Sequence, residues 1–241
     1  MAVLEVSRLC VQFGGLRAVR DVGFDVDAGA ITGLIGPNGA GKTTIFNAVT
    51  GVQKCSGTVR LEGVDVSSAS PHRRARMGMK RTFQRLEVFG SMTAFDNIRT
   101  AAELNVRMAR KPREAAREIT EEVIDLLGLQ AIVGDRADSL PTGQARLVEF
   151  GRALATDPKV ILLDEPASGL DDIETRRLAE VLTSLAAKDV AVLLVEHDID
   201  LVMDRCSTIY VLNFGEVIAH GSPTEVRADR EVMRAYLGEA S

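Results

Sequence analysis

The sequence indicates an α/β protein with a mainly parallel sheet, an antiparallel β subdomain near its N-terminus and an inserted helical subdomain. Three stretches are continuously apolar, at 160–163, 190–195 and 209–212, a pattern typical of parallel strands that are buried on both faces. Closer to the N-terminus, apolar and polar residues alternate at 22–26 and 59–62, which predicts half-exposed antiparallel strands. The chain therefore combines two kinds of sheet.

The middle third of the chain has helical periodicity instead. Residues 111–127 and 146–155 carry apolar side chains three and four positions apart with charges between them, which predicts two amphipathic helices. We therefore predict a single domain with an α/β core and a helical subdomain. The predicted limits are 1–241 for the domain, 1–85 with 157–241 for the core, and 86–156 for the helical subdomain.

A glycine-rich loop follows the first apolar run. Residues 31–35 read as a buried strand, residues 36–43 fit the pattern G-x-x-x-x-G-K-[ST], and a helix is predicted from Thr44. Backbone N–H groups in such a loop surround phosphates, Lys42 reaches the β and γ oxygens, and the Thr43 hydroxyl ligates Mg²⁺. A glycine-rich turn without a ligand is the alternative, and the strand–loop–helix context disfavours it. The predicted ATP contacts are Gly36, Pro37, Asn38, Gly39, Ala40, Gly41, Lys42, Thr43 and Thr44.

Two adjacent acidic residues end the apolar run at 160–163. A carboxylate at the C-terminal end of a buried strand is well placed to hold Mg²⁺, and we assign this role to Asp164. Glu165 is the candidate general base that polarises an attacking water. The alternative is a pair of solvated or ion-paired acids, which the neighbouring phosphate loop disfavours. Together the loop and the carboxylates predict the binding and hydrolysis of a nucleoside triphosphate with Mg²⁺.

Composition limits the other functions. The chain has 241 residues and a net charge of −5 with both signs well mixed, so no basic field indicates nucleic acid as a partner. Its three cysteines, Cys10, Cys55 and Cys206, lack metal-ligand spacing, and we expect them to be reduced. No export signal is visible at the N-terminus, and no apolar run approaches the ~18 residues that a transmembrane helix needs.

Further motifs narrow the class of nucleotide-binding protein. Segment 140–144 precedes a helix, residues 163–166 read Leu-Asp-Glu-Pro, residues 168–171 read Ser-Gly-Leu-Asp, and His197 follows an apolar run. In this order and spacing, the sequence resembles a nucleotide-binding subunit of an ABC transporter over essentially its whole length. This resemblance implies a P-loop NTPase core of the ABC ATPase type that hydrolyses ATP with Mg²⁺.

The resemblance also implies roles for single residues. His197 matches the switch histidine near the γ-phosphate, and Gln84 matches the glutamine that touches the metal and water and senses the membrane partner. Phe13 matches the aromatic residue that stacks on adenine, with a core phenylalanine as the alternative. The segment between the carboxylates and the following helix matches the family's D-loop, at Ser168, Gly169, Leu170 and Asp171. His72 and His220 have no such context, and we assign them no role.

The segment at 140–144 matches the family signature, which contacts the ATP held by a second cassette. A helix N-terminus offers free N–H groups and a positive dipole to that phosphate. Here the signature departs from the common Leu-Ser-Gly-Gly-Gln, because Pro141 replaces serine and Thr142 replaces the first glycine. Proline suits the first turn of a helix, so we expect the fold to tolerate it. A weaker trans contact and a heterodimer are therefore open alternatives to a homodimer; the signature residues are Leu140, Pro141, Thr142, Gly143 and Gln144.

The subfamily follows from two further stretches. Residues 81–89 and 219–226 look most like the ATPases of branched-chain amino acid importers, which pair two ATPases with two permeases and an extracytoplasmic solute-binding protein. The resemblance thus implies a subunit on the cytoplasmic face of a membrane. Exposed apolar residues after Gln84 are predicted to line the groove for a permease segment, namely Leu86, Val88, Phe89 and Met92. The equal alternative for each of them is that it packs in the core of the helical subdomain. The alternatives are transport of urea or amides, lipopolysaccharide export, a soluble ABC protein acting on nucleic acid, and a regulatory cassette that does not hydrolyse ATP.

Overall fold

The computed structural model describes residues 1–83 and 85–237, which form two sheets with helices around them. The strands are β1 Ala2–Phe13, β2 Leu16–Asp27, β3 Ile31–Ile35, β4 Ser56–Leu61, β5 Val64–Asp65, β6 Met79–Arg81, β7 Val160–Asp164, β8 Ala191–Val195, β9 Thr208–Asn213 and β10 Glu216–Gly221. The helices are α1 Lys42–Val49, α2 Pro71–Arg76, α3 Ala94–Ala109, α4 Ala115–Leu127, α5 Thr142–Leu154, α6 Asp172–Ala186, α7 Ile199–Arg205, α8 Pro223–Ala228 and α9 Arg230–Leu237.

The first sheet is antiparallel, with strand order β2-β1-β4-β5. Val6 of β1 pairs with Phe24 on one side and with Val59 on the other, so the predicted alternating segments meet across one central strand. All three side chains are buried, while intervening polar residues such as Asp25 are exposed. The predicted antiparallel β part is confirmed.

The second sheet has the order β10-β9-β3-β8-β7-β6 and is parallel from β9 to β6, with β10 antiparallel at one edge. The three continuously apolar runs lie in β7, β8 and β9, as predicted. Parallel pairing brings the C-terminal ends of β3, β7 and β8 to the same edge of the sheet. The residues that follow these strands are the phosphate loop, Glu165 and the segment with His197.

Alternate residues of the parallel sheet enter two hydrophobic clusters. Leu162 and Leu193 pack with the antiparallel sheet and α1. Ile161 and Leu163 face the other way and pack with the helices of the middle third, including α3, α4 and α5. A strand that is buried on both faces reads as a continuous apolar run for this reason.

The helical middle third differs in detail from the prediction. The helix predicted over 111–127 begins at Ala115, because Arg110 takes a left-handed conformation, with φ of 55°, that ends α3, and Pro112 lies in the connection. Helix α3 was not predicted; several of its buried residues are alanines, which give a weak apolar pattern. The division of the domain at residues 86 and 156 stays a prediction. Among the described residues, no helix is long and apolar enough to cross a membrane.

Candidate nucleotide site

The glycine-rich loop sits between the end of β3 and the start of α1. A side chain at Gly36 would place its Cβ 2.0 Å from the Leu212 carbonyl oxygen, so this position accepts only glycine. At Gly41, φ is 109° and a Cβ would lie 2.9 Å from the Ala18 carbonyl oxygen. The loop is thus pressed between β9 and β2, while Asn38 and Gly39 at its crest are exposed.

Lys42 lies folded over this loop. Its Nζ donates hydrogen bonds to the carbonyl oxygens of Gly36, at 2.6 Å, and Pro37, at 3.1 Å. Burial lowers the pKa of Lys42, and the nearby charges of Glu165 and Asp164 raise it in opposition. Lys42 thus places a buried positive charge against the loop, where a phosphate could contact it. Thr43 and Thr44 follow in the first turn of α1, where the helix dipole adds positive potential.

Asp164 is the last residue of β7 and is fully buried. Its backbone N–H donates to the Thr82 hydroxyl at 3.2 Å, and its Oδ2 accepts from Arg81 Nη2 at 3.1 Å. Its other oxygen, Oδ1, is buried and has no hydrogen-bond partner among the described residues. Burial raises the pKa of Asp164, against the opposing effect of Arg81.

An orphaned, buried carboxylate oxygen beside a phosphate loop fits a divalent cation. Mg²⁺ is usually held by one or two protein ligands together with substrate phosphates and water. Within the described part of the chain, no group of three or more acidic, histidine or cysteine residues is arranged to hold a metal alone. Asp164 and the Thr43 hydroxyl are the groups that would hold such a cation with a nucleotide. The third predicted ligand, Gln84, lies outside the described residues.

Glu165 and His197 meet at the same sheet edge. Glu165 has a left-handed backbone, with φ of 53°, and its N–H donates to the Val195 carbonyl oxygen at 2.8 Å. Its Oε1 lies 2.8 Å from His197 Nε2. Strain of this kind in a non-glycine residue is common where a side chain must be aimed. The structure therefore brings Lys42, Asp164, Glu165 and His197 into one site, as the sequence predicted; their roles stay predictions.

A buried acid that the sequence interpretation missed supports this arrangement. Glu196 accepts hydrogen bonds from the backbone N–H groups of Ala167, at 2.6 Å, and His197, at 3.0 Å. It thereby ties the turn after Glu165 to the end of β8. Burial raises the pKa of Glu196. The sequence does contain a signal for Glu196, because an acidic residue follows directly after the apolar run at 190–195. Arg81, the partner of Asp164, was missed as well.

The signature segment lies beside the D-loop of the same chain. Pro141 is the N-cap residue of α5, with φ of −52° and ψ of 149°, and so precedes the first turn in which a proline was expected. Pro141 and Thr142 are exposed. A Cβ at Gly143 would lie 2.5 Å from the Gly169 carbonyl oxygen, so Gly143 permits a close approach of the D-loop. Asp171 ends that loop by capping α6 in a capping box with Glu174.

Phe13 ends β1, next to the turn that leads into β2. Its side chain is 48% exposed, which leaves the ring face open to a ligand. The start of β2 touches the loop at Gly41, so this hairpin borders the phosphate loop. A core position for Phe13, the alternative considered from the sequence, does not fit this exposure.

A groove opens between α2, β6, α3 and α5, on the side of Arg81 away from the loop. Its exposed apolar lining includes Val52, Phe83, Phe89 and Leu104. Of the four residues predicted to line a permease groove, Phe89 lines this one and the other three do not. Met92 is exposed but borders a separate pocket, Leu86 is half-buried, and Val88 packs against the core.

Helix α5 holds the segment that borders this groove. The buried Glu149 carboxylate accepts from the N–H groups of Phe83, at 3.4 Å, and Glu87, at 3.3 Å. Arg152 donates to the Glu87 carbonyl oxygen and lies 4.2 Å over the Phe89 ring. Burial raises the pKa of Glu149. The helix that begins at the signature is thus bonded to both sides of residue 84.

The class of the protein follows from this geometry. A strand, a glycine-rich loop and a helix that carries a buried lysine, together with a buried carboxylate at the end of β7 on the same sheet edge, define a phosphate-loop nucleotide-binding protein.

Comparison with known proteins identifies the family within that class. The family described as "ABC transporter" matches residues 19–168, and the family described as "Branched-chain amino acid ATP-binding cassette transporter" matches residues 216–241. The "High-affinity branched-chain amino acid transport ATP-binding protein BraF" of Pseudomonas aeruginosa is 39% identical, over 99% of this chain and 98% of the relative. The "Lipopolysaccharide export system ATP-binding protein LptB" of Escherichia coli K12 is 36% identical, over 99% and 98%.

A solved structure agrees with these relatives. The crystal structure of the ADP conformation of MJ1267, described as an ATP-binding cassette of an ABC transporter, has a TM-score of 0.84 and 30% identity. The match covers 99% of this chain and 100% of that one. The chain belongs to the ABC transporter family and is an ATP-binding subunit of it, with the ATPase activity of that family. The resemblance drawn from the motifs is confirmed.

Proposed function

We propose that this chain is the ATP-hydrolysing subunit of an importer for branched-chain or related amino acids, bound to the cytoplasmic face of a membrane through permease subunits. The observation that carries the solute class is the match of residues 216–241 to the branched-chain amino acid family, together with near full-length similarity to BraF. Lipopolysaccharide export is the second candidate, supported by the similarity to LptB. Urea or amides remain a further solute class. The charge of −5 argues against nucleic acid as the partner.

In the proposed reaction, the loop amides and Lys42 bind the β- and γ-phosphates of ATP. Mg²⁺ held by Asp164 and the Thr43 hydroxyl would supply positive charge to the phosphate oxygens. The Glu165 carboxylate orients a water and takes up its proton, and the contact of 2.8 Å with His197 holds the Glu165 side chain in place. Phe13 stacks on the adenine. Gln84 completes the metal and water contacts by analogy with the family.

The signature segment supports a dimer of cassettes. Helix α5 begins with exposed residues, and no side chain caps its N-terminal N–H groups. Such an end binds a phosphate brought by a second cassette, identical or related. Closure of the two cassettes around ATP would then move the permease. We place a segment of the permease in the groove beside Phe83 and Phe89. An extracytoplasmic solute-binding protein completes the proposed importer.

The proposed motor is tested by replacing Glu165 with glutamine. Glu165→Gln keeps the shape of the side chain and removes the base, so we expect turnover to fall about 10²- to 10⁴-fold. ATP affinity should be unchanged, and sizing with ATP and Mg²⁺ should show a more persistent dimer. Glu180→Gln on the exposed face of α6 is the matched control. Parental turnover in Glu165→Gln would refute the assignment of the base.

The solute class needs a cellular test. We expect cells that lack this chain to lose high-affinity uptake of leucine, isoleucine and valine, and to regain it with the parent but not with Glu165→Gln. Normal uptake together with defective lipopolysaccharide export would favour the second candidate instead.

An inactive, monomeric parent in vitro would indicate that a different cassette is required as its partner.

A further inference from the structure

The interior of the molecule contains a cation that the proposed reaction does not use. Arg81, at the end of β6, has a side chain that is only 5% exposed. Its Nη2 donates to Asp164 Oδ2 at 3.1 Å, its Nη1 donates to Asn47 Oδ1 at 2.5 Å, and its Nε donates to the Thr82 carbonyl oxygen at 3.2 Å. The guanidinium therefore joins α1, β6 and β7 behind the phosphate loop.

The Asp164 carboxylate is held by one oxygen only. Arg81 engages Oδ2, while Oδ1 is buried without a hydrogen-bond partner among the described residues. A fork-shaped donor that fixes one oxygen also fixes the direction of the other. Carboxylates that ligate metals are commonly oriented in this way by outer hydrogen bonds, and loss of such a bond typically weakens metal affinity about 10- to 100-fold.

The same guanidinium reaches the groove. Arg81 lies 4.9 Å over the ring of Phe83, which is 41% exposed, and both residues line the groove beside α3. On its other side Arg81 lies 5.3 Å over the ring of Phe46 in α1. Only one side chain thus separates the contents of the groove from the carboxylate at the nucleotide site.

We propose that Arg81, which itself lines the groove beside Phe83, is a positioning residue that presents Asp164 Oδ1 to the nucleotide-bound divalent cation. The inference rests on the proposed ATP site and adds to it a residue that does not itself touch the nucleotide. Asn47 accepts a hydrogen bond from Nη1 of Arg81 while Asp164 accepts one from Nη2. We therefore expect that a positive charge alone at position 81 does not hold the Asp164 carboxylate in this orientation. A lysine lacks the planar fork that reaches Asn47 and Asp164 from two separate nitrogens.

The test measures the cation directly in the full-length chain. Mn²⁺ binding is followed by electron paramagnetic resonance with a non-hydrolysable ATP analogue, and binding of the analogue alone is measured in EDTA. For Arg81→Met we expect the affinity for Mn²⁺ to fall about tenfold. Binding of the analogue in EDTA should stay within about twofold, because Lys42 and the loop amides remain. Arg81→Lys should restore only part of the loss.

Two further variants keep the test decisive. Arg85→Met removes an exposed positive charge nearby and should leave Mn²⁺ binding at the parental value. Asn47→Ala frees only one arm of Arg81 and should weaken Mn²⁺ binding a few-fold; it carries the test if Arg81→Met does not fold. Unchanged Mn²⁺ affinity in both Arg81→Met and Asn47→Ala would overturn the proposal.

The remaining outcomes separate this proposal from the function on which it rests. Tighter binding of Mn²⁺ in Arg81→Met would show that the guanidinium competes with the cation, and would also overturn the positioning role. If the parent fails to bind the ATP analogue in EDTA and with Mn²⁺, the proposed nucleotide function itself is wrong. Normal binding in the parent with no effect at Arg81 refutes only the present inference.

Discussion

Two helix N-termini in this chain are proposed to bind phosphate, and they differ in the charged and polar groups that surround the helix amides. Neither the Gly41 end of α1 nor the Pro141 end of α5 has a side-chain cap. The Glu114 end of α4 is also uncapped, whereas α2, α3, α6, α7 and α8 are capped by Ser70, Thr93, Asp171, Asp198 and Ser222. Free N–H groups are thus kept at both proposed phosphate sites.

The surroundings of the two ends are unlike. At α1, the buried Lys42 and the two carboxylates at the end of β7 supply charge and a predicted cation ligand. At α5, the exposed Pro141 and Thr142 are accompanied by the D-loop of the same chain. The first end combines helix amides with a buried cation and two acids, whereas the exposed residues at the second offer helix amides and a hydroxyl. This asymmetry supports our proposal that a second cassette brings the nucleotide to the signature segment.

The largest effect is expected when the positive charge of Lys42 at the N-terminus of α1 is removed. Lys42→Ala should weaken ATP binding by about 2–3 kcal/mol, roughly 30- to 150-fold, because hydrogen bonds from an ionised donor are lost. Equilibrium binding of a fluorescent ATP analogue measures this. Lys188→Ala, at an exposed lysine after α6, should bind as the parent does. Equal affinity in Lys42→Ala and the parent would remove the distinction between the two helix ends.

The next effect concerns the packing of the α5 end. Gly143→Ala places a Cβ 2.5 Å from the Gly169 carbonyl oxygen, so the D-loop must shift. We expect the free energy of unfolding to fall by about 1–3 kcal/mol, although alanine is the better helix former. Urea unfolding gives the value. At Gly134 a Cβ meets nothing within 4 Å, so Gly134→Ala is the control. Stabilisation by Gly143→Ala would show that the two segments are not tightly packed.

A smaller effect is expected at the rim of the site around the N-terminus of α1. Phe13→Ala should weaken ATP binding about fivefold, since an aromatic contact contributes about 1 kcal/mol. Phe13→Tyr keeps the ring and should restore the affinity. The same titration with tripolyphosphate should show no difference between parent and Phe13→Ala, because this ligand has no base. A loss with both ligands would assign Phe13 to the structure of the loop and not to adenine.

The smallest effect is expected at Pro141, where we test whether proline weakens the proposed contact between the N-terminus of α5 and the nucleotide of a second cassette. Pro141→Ser adds one hydroxyl and one backbone N–H where the common signature has them. We expect steady-state turnover of the dimer to rise about twofold, by ~0.5 kcal/mol, with ATP affinity of the isolated chain unchanged. Pro141→Ala adds the N–H alone and separates the two contributions. Lower turnover in Pro141→Ser would mean that proline improves the trans contact.

Prediction from the sequence succeeded where a local pattern carries the information. Continuous apolar runs identified β7, β8 and β9, and the glycine-rich motif located the phosphate loop with its lysine. It was less successful in the helical part. There the start of α4 depended on the left-handed Arg110, and α3 was concealed by buried alanines. Such boundaries are set by a backbone turn and by tertiary packing, which a periodicity does not contain.

Residue type and spacing were enough to indicate the nucleotide-binding class and the family, and they predict the residues that face the phosphates, because these depend on short segments with fixed local geometry. The pair of Arg81 with Asp164, separated by 83 residues, and the contact of Glu165 with His197, separated by 32, came only from the folded chain. The order of strands and their register determine which side chains meet at the sheet edge. The contacts that lie between the groove and the nucleotide site therefore depend on that register and not on any motif.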